Sequence, residues 1–166
     1  MSARRLSQPR RQSRIALALT EFMEVEIRDL QDRKIDQQLI IEAARGALSE
    51  AGGRLDAVGI ALVDDERIRD LNMRYLGREG VTDVIAFEAE KGPDGITGEV
   101  IISVDTAYRQ AAELGHSADE ELCVLVAHGV LHVLGYEDYD ESSRAEMNRL
   151  QQEVLQRVEG WSDDDG

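Results

Sequence analysis

The stretch that decides the fold runs from residue 117 to residue 135 and reads SADEELCVLVAHGVLHVLG. Ser117 followed three residues later by Glu120 forms a capping box, which is the signature of a helix N-terminus. The residues that follow are apolar on nearly every side, which predicts a helix buried inside the protein. Gly135 predicts the end of that helix. We therefore expect a buried helix over this stretch.

Two of the three histidines of the chain, His128 and His132, lie four residues apart on this helix. Four residues turn an α-helix by about 400°, so both imidazoles lie on one face and can aim at one point. Beyond the helix-ending glycine, Glu137, Asp138 or Asp140 can return to that point. Zinc binds imidazole and carboxylate ligands, so the pattern predicts a metal site. The alternative is two core histidines hydrogen-bonded to backbone carbonyls or tyrosines.

Gly129 lies in the middle of the predicted helix, where glycine costs about 1 kcal/mol relative to alanine. Its presence indicates that something approaches the backbone closely beside His128, either a substrate strand or a packed neighbouring element. Gly129 also takes the place of the glutamate in the histidine-glutamate-x-x-histidine motif, which argues against a metalloprotease of that kind.

The composition is that of one soluble globular domain: 166 residues, of which 42% are hydrophobic and 32% charged, with a net charge of -15. No apolar run approaches the roughly 20 residues that span a bilayer. The single cysteine, Cys123, excludes an internal disulfide and favours a reduced, cytoplasmic compartment. The acidic body argues against a surface that coats nucleic acid.

Both ends of the chain differ in charge from the domain between them, which we place at residues 21–160. Residues 1–20 carry five arginines and no acidic residue, and we expect a disordered basic extension there. An arm that contacts RNA phosphates and an organellar transit peptide are the alternatives. Residues 161–166, WSDDDG, are predicted to be an acidic tail.

The periodicity of apolar residues predicts strands and helices in the order βαβαββααα. The two strands VTDVIAFEAE and GEVIISV flank the turn KGPDGIT, so they are expected to pair antiparallel. Asp105 is the expected N-cap of the helix that follows them. The predicted fold class is α+β: a single domain with a mixed sheet of about four strands packed with helices, and the metal site on a buried helix.

Four ordered motifs between residues 24 and 160 resemble the YbeY family of metal-dependent endoribonucleases and ribosomal RNA maturation factors. The segment HGVLHVLGYED (128–138) is similar to the family signature H-G-x-L-H-L-x-G-Y-D-H. The segments LNMRYLGREGVTDVIAF (71–87), GEVIIS (98–103) and ELGHSADEEL (113–122) resemble further family blocks in the same order.

The resemblance implies metal ligands at His128, His132 and Asp138, the last replacing the third histidine of the family. A carboxylate is a sound zinc ligand, although its charge should make a bound water less acidic and let manganese or another divalent ion compete with zinc. Glu137 and Asp140 stay open as alternative third ligands. We expect one ion per chain.

A second departure concerns the arginine that the family carries after its tyrosine, which is Leu76 in this chain. Leucine cannot neutralise charge on a phosphate, so Arg74 and Arg78 are the candidate catalytic replacements; otherwise both are solvated surface residues. His116 matches a family histidine and is expected at the start of the helix or beside the metal ligands rather than as a ligand. Thr82 and Asp83 match a family block and are expected to shape a strand beside the site.

The function that the resemblance implies is cleavage of single-stranded RNA in ribosomal RNA processing, with the small ribosomal subunit as partner and no role for DNA or a membrane. Bases could stack on Tyr75, Phe87 or Tyr136, although such aromatics more often belong to the core. The alternatives are a non-catalytic ribosome-assembly or RNA-binding factor with a degenerate metal site, and hydrolysis of another substrate.

Overall fold

Four strands and five helices follow one another in the predicted order. The computed structural model describes the backbone of residues 23–165 and the side chains of residues 23–158. The elements are β1 (Glu24–Asp29), α1 (Gln37–Ala51), β2 (Ala57–Val63), α2 (Asp65–Leu76), β3 (Val84–Gly92), β4 (Gly95–Ser103), α3 (Val104–Leu114), α4 (Ala118–Val133) and α5 (Glu141–Asp165). The prediction for residues 1–20 lies outside the described residues. The last helix continues through residues 161–165, which the sequence assigned to an acidic tail.

The strands form one mixed sheet in the order β1-β2-β4-β3. β1 pairs parallel with β2, and β2 pairs parallel with β4, because a helix intervenes between each pair of parallel neighbours. β3 pairs antiparallel with β4, and the tight turn at Pro93 and Asp94 joins them. Gly95 follows this turn with a φ of 98°, a conformation that favours glycine. The predicted α+β class, the mixed sheet and the antiparallel pair are confirmed.

Successive residues of each strand point to opposite faces of the sheet, and both faces carry apolar side chains. On one face, residues such as Val100 and Ile102 join the large core that α1, α4 and α5 complete. On the other face, Ile85 and Ile101 pack with Ile68 of α2. Among the described helices, none combines the length and the hydrophobicity that crossing a membrane requires.

Helix α4 lies at the centre of the larger core, in contact with α1, α3, α5, β3 and β4. Gly129 is where α4 meets the sheet, because a Cβ at this position would lie 2.5 Å from Cγ1 of Val100 and 3.3 Å from Cγ2 of Val84. Of the two explanations for this glycine, the packed neighbouring element is therefore the one that the structure provides. The close approach of β3 and β4 fixes the depth and rotation of the helix that carries both histidines.

The helix ends agree with the predicted capping signals except at α3. Ser117 and Glu120 form the predicted capping box of α4, which ends at Val133, two residues before Gly135. The prediction that Asp105 caps α3 is wrong, because the Oγ atom of Ser103 accepts a hydrogen bond from the backbone N–H of Thr106. Asp105 lies inside the first turn, and its carboxylate instead accepts the backbone N–H of Asp65 at 3.0 Å.

Asp65 joins the first turn of α2 to that of α3. Its carboxylate accepts hydrogen bonds from Ser103 Oγ, Thr106 Oγ1 and Arg109 Nη1, each 2.7 Å long. Partial burial acts to raise the pKa of Asp65, but the hydrogen bonds from Arg109, Ser103 and Thr106 outweigh it, so the pKa lies below its ordinary value. The charged form of this carboxylate therefore stabilises the folded protein.

We expect the stabilisation by Asp65 to disappear in acid. Because its folded-state pKa is depressed, the contribution is present above the unfolded-state pKa of about 3.9 and is lost as the pH falls through the folded-state value. At pH 7, Asp65→Asn should lower the free energy of unfolding by about 1 kcal/mol, allowing for partial solvent screening. Urea denaturation at pH 7 and pH 3 measures this. The exposed Asp70→Asn is the control, and an equal gap between wild type and Asp65→Asn at both pH values would contradict the assignment.

Candidate metal centre

The two histidines of α4 direct their Nε2 atoms at each other. The Nε2 atoms of His128 and His132 lie 3.0 Å apart, and the rings are 4.6 Å apart between centroids at an interplanar angle of 76°. This geometry follows from the four-residue spacing, which places the side chains one turn apart on the same helix face. Each side chain is 25% exposed, so the pair lies at the edge of the core and is open to solvent on one side.

The chain reverses after α4 and brings a carboxylate to the same place. Gly135 adopts a φ of 100°, and the backbone N–H groups of Gly135 and Tyr136 donate to the carbonyls of His132 and Leu131. The turn that results places Asp138 Oδ2 3.8 Å from Nε2 of His128 and 3.7 Å from Nε2 of His132. The structure therefore brings together the three residues that the resemblance implied as ligands.

The spacing of these three atoms fits a small divalent cation. A triangle with sides of 3.0, 3.7 and 3.8 Å has a point about 2.0 Å from all three corners, which is the distance at which zinc binds imidazole nitrogen and carboxylate oxygen. Three protein ligands and one solvent-facing side are the arrangement of catalytic rather than structural zinc sites. His128, His132 and Asp138 can therefore hold one ion with a position left for another ligand.

The two alternative third ligands lie elsewhere. Asp140 caps α5: its Oδ1 atom accepts the backbone N–H of Ser143 at 2.7 Å and the Ser143 hydroxyl at 2.8 Å. Both hydrogen bonds lower the pKa of Asp140, and the one from the backbone of Ser143 has the larger effect. Glu137 is exposed and does not belong to the three-residue cluster found among the described residues. Asp138 is thus the carboxylate that the turn directs toward the histidines.

Two residues near the cluster were missed from the sequence. Gln151 of α5 is 8% exposed, and its Oε1 atom lies 2.6 Å from Nδ1 of His128. The sequence feature that could have identified Gln151 is its position four residues after Met147, on the otherwise apolar stripe of α5. Arg144 donates from Nη1 to the backbone carbonyl of Asp138 at 3.4 Å, which places a cation beside the turn. No spacing rule links Arg144 to the histidines.

His116 lies at the start of α4, where the sequence placed it. Its Nε2 atom is 2.7 Å from Oε1 of Glu121, a carboxylate that is 4% exposed. The contact gives a buried carboxylate a partner, and His116 is outside the three-residue cluster. Asp83 precedes β3, where its carboxylate accepts from Gln110 at 3.3 Å and its carbonyl accepts the backbone N–H of Ser103. Thr82, beside it, is half-buried.

The candidate catalytic arginines lie at the end of α2. Arg74 is in its last turn and Arg78 just beyond its capping glycine, both exposed, and Leu76 between them is 43% exposed. Helix α2 covers the sheet face opposite to the one that α4 covers. Within residues 23–158, no hydrogen bond or ion pair joins either arginine side chain to the metal cluster. Their catalytic role stays a prediction.

The three aromatic residues considered for base stacking are placed differently. Tyr75 is 57% exposed and meets the ring of Phe87 edge-on, with centroids 5.8 Å apart. Phe87 packs against the smaller core under α2, and Tyr136 packs against the larger core. Only Tyr75, of these three, presents most of its side chain to solvent.

The α+β domain carries, on and just after a buried helix, three side chains that could hold a metal ion, and the comparisons with known proteins define its class. The model of the family described as endoribonuclease YbeY matches residues 23–159. The endoribonuclease YbeY of Heliobacterium modesticaldum is 39% identical over 72% of this chain and 81% of its own length. That of Streptomyces coelicolor is 32% identical over 87% of this chain and 93% of its own. The chain belongs to the YbeY endoribonuclease family.

The fold agrees with a solved structure. The solution structure of TM1509 from Thermotoga maritima superimposes with a TM-score of 0.57 at 26% sequence identity, covering 83% of this chain and 93% of that one. The family model and the relatives confirm the resemblance drawn from the four sequence motifs, and the superposition confirms the α+β fold.

Proposed function

We propose that this protein is a metal-dependent endoribonuclease that cuts single-stranded RNA during ribosomal RNA maturation and the assembly or quality control of the small ribosomal subunit. One observation carries the proposal: Nε2 of His128, Nε2 of His132 and Oδ2 of Asp138 converge at the spacing of a three-ligand metal site in a member of an endoribonuclease family. The single cysteine, which cannot form an internal disulfide, and the composition favour a cytoplasmic location.

His128, His132 and Asp138 would hold the ion, with zinc as the favoured metal and manganese as the alternative. When bound there, the ion would lower the pKa of a water molecule or polarise a phosphoryl oxygen. A divalent ion held by two neutral imidazoles and a single carboxylate would keep a net positive charge, because the carboxylate cancels only one of its two charges. A positive site suits an anionic phosphodiester. Arg144 adds a cation next to the turn that carries Asp138. The cluster is open on its solvent side, and a phosphodiester can reach it where the RNA strand is unpaired.

The chelator dependence of RNA cleavage tests the proposal. We expect the purified protein to cut an unpaired RNA oligonucleotide, to lose cleavage after dialysis against a chelator, and to regain it when zinc or manganese is added back. The DNA oligonucleotide of the same sequence should stay intact. RNA cleavage that continues unchanged in the metal-stripped protein would refute the metal-dependent mechanism.

A second candidate function, a non-catalytic RNA-binding or ribosome-assembly factor, is favoured by the departures at two positions. Leu76 exposes 43% of its surface where the family pattern has arginine, and Asp138 stands where the pattern has histidine. This function predicts weak or absent metal binding, and binding of the same oligonucleotide without cleavage even when zinc or manganese is supplied. Metal content, together with cleavage in the presence of added metal, therefore distinguishes the two functions.

A further inference from the structure

Gln151 is a polar residue on the buried face of α5. The other residues of this face are apolar and at most 5% exposed: Met147, Leu150, Val154 and Val158. Burying an amide costs free energy unless the amide is hydrogen-bonded, so a glutamine at this position needs a hydrogen-bond partner. The partner in the structure is the imidazole of His128, whose Nδ1 atom lies 2.6 Å from the amide oxygen Oε1.

An amide oxygen only accepts hydrogen bonds, so it selects one tautomer of the neutral imidazole. The proton of His128 must then be on Nδ1, and Nε2 keeps a free lone pair. That lone pair points toward Nε2 of His132 and Oδ2 of Asp138. The same hydrogen bond also holds the ring at a fixed rotation, since it joins α4 to a second buried helix.

We propose that Gln151 is the positioning residue of the metal site, which fixes the Nδ1–H tautomer and the ring orientation of His128 so that Nε2 is ready to bind a cation. The inference rests on the proposed metal-dependent function and adds to it a residue of α5 that no ligand motif contains. Residues that hydrogen-bond to metal-binding histidines commonly contribute a factor of about 10–100 to metal affinity.

The arrangement also dictates the hydrogen bonding of the metal-free protein. If His128 Nε2 is an acceptor, the 3.0 Å contact with His132 requires the proton of His132 to be on its Nε2 atom. The two neighbouring histidines are therefore expected in opposite tautomers without metal: Nδ1–H for His128 and Nε2–H for His132. The reverse orientation of the Gln151 amide would place the proton of His128 on Nε2 and block the ligand position.

Two-bond ¹H–¹⁵N correlation spectra of the histidine rings test this directly in the metal-free protein, at a pH where the rings are neutral. We expect a protonated Nδ1 and an unprotonated Nε2 in His128 of the wild type. In Gln151→Met, which keeps the length of the side chain but removes the acceptor, this preference should be lost. A wild-type His128 with its proton on Nε2 would overturn the proposal, and so would an unchanged tautomer in Gln151→Met.

Zinc affinity, measured by competition with a chromophoric chelator, is the second readout. Gln151→Met should bind zinc about 10–100-fold more weakly than wild type. Gln151→Glu, which restores an acceptor oxygen, should bind at least as tightly as wild type. Gln152→Met is the matched control, because the neighbouring residue is exposed, and it should leave affinity unchanged. Urea denaturation establishes that each variant is folded.

Equal zinc affinities of Gln151→Met and wild type, or an affinity of Gln151→Glu as low as that of Gln151→Met, would overturn the positioning role. Those results would leave the metal site itself intact. Failure of the proposed function has a different signature, since the wild type would then bind no zinc and cut no RNA whatever the tautomer of His128.

Discussion

Replacing His132 with alanine should reduce the zinc bound by the protein from about one equivalent per chain to the background of a metal-free sample. The variant keeps only His128 and Asp138, and two ligands do not hold zinc in competition with water. RNA cleavage should fall by a factor on the order of 10³, because a bound metal supplies several kcal/mol of charge stabilisation and each 1.36 kcal/mol is tenfold in rate. Metal analysis and a single-turnover cleavage assay measure the two effects.

The carboxylates of the same turn supply matched controls for this experiment. Asp138→Ala should lose zinc as His132→Ala does, whereas Glu137→Ala should retain both metal and activity, because Glu137 lies outside the cluster. His132 is already 25% exposed, so the variant should unfold at nearly the urea concentration of the wild type. Full zinc content in His132→Ala would show that the histidine pair is not the metal site.

Replacing Gly129 with valine should lower the free energy of unfolding by about 3 kcal/mol or more, the upper end of what overpacking a core costs. The first added carbon would already lie 2.5 Å from Cγ1 of Val100, and β-branching adds two further methyl groups against the same strand. Helix propensity offsets only a few tenths of a kcal/mol of this cost. The midpoint of urea denaturation, compared at an unchanged m-value, measures it.

Alanine at position 129 is the graded control, since it adds one methyl group and gains about 1 kcal/mol of helix propensity. Its net cost should be smaller than that of valine. The double variant Gly129→Ala, Val100→Ala should be more stable than the sum of the two single effects predicts, because the removed methyl groups make room for the added one. Strict additivity, or a Gly129→Val protein as stable as the wild type, would show that α4 does not pack on β4 at this point.

The order of elements and the mixed sheet could be read from the sequence, because apolar periodicity and the proline-glycine turn are local signals. The capping box at Ser117 could also be predicted from the sequence. The start of α3 could not be read in the same way, because Ser103 and Asp105 both suit an N-cap. In the structure the Asp105 carboxylate accepts from Arg33 and from the backbone N–H of Asp65, both distant in sequence, and Ser103 caps the helix. Periodicity also cannot say which sheet face a helix covers, which is why the positions of Arg74 and Arg78 had to come from the structure.

Only the part of the candidate site that depends on neighbouring residues of the sequence could be predicted. The pairing of His128 with His132 follows from helix geometry alone. The choice of Asp138 over Glu137 and Asp140 depends on the φ of Gly135 and on the capping of α5 by Asp140, neither of which spacing determines. Gln151 escaped notice because its role depends on how α5 lies against α4, and a glutamine among leucines and valines reads from sequence as an ordinary irregularity in an amphipathic helix.

The three candidate ligand side chains all come from residues 128–138, a single helical turn and the bend after it. An ion held there would close a very short loop, for which the entropic cost of bringing the ends together is small. The three candidate ligand atoms therefore come from one contiguous peptide, whereas the parallel pairing of β1, β2 and β4 joins distant parts of the chain. The packing of β3 and β4 against Gly129 and the contact of Gln151 with His128 then orient a set of side chains that are already close along the chain.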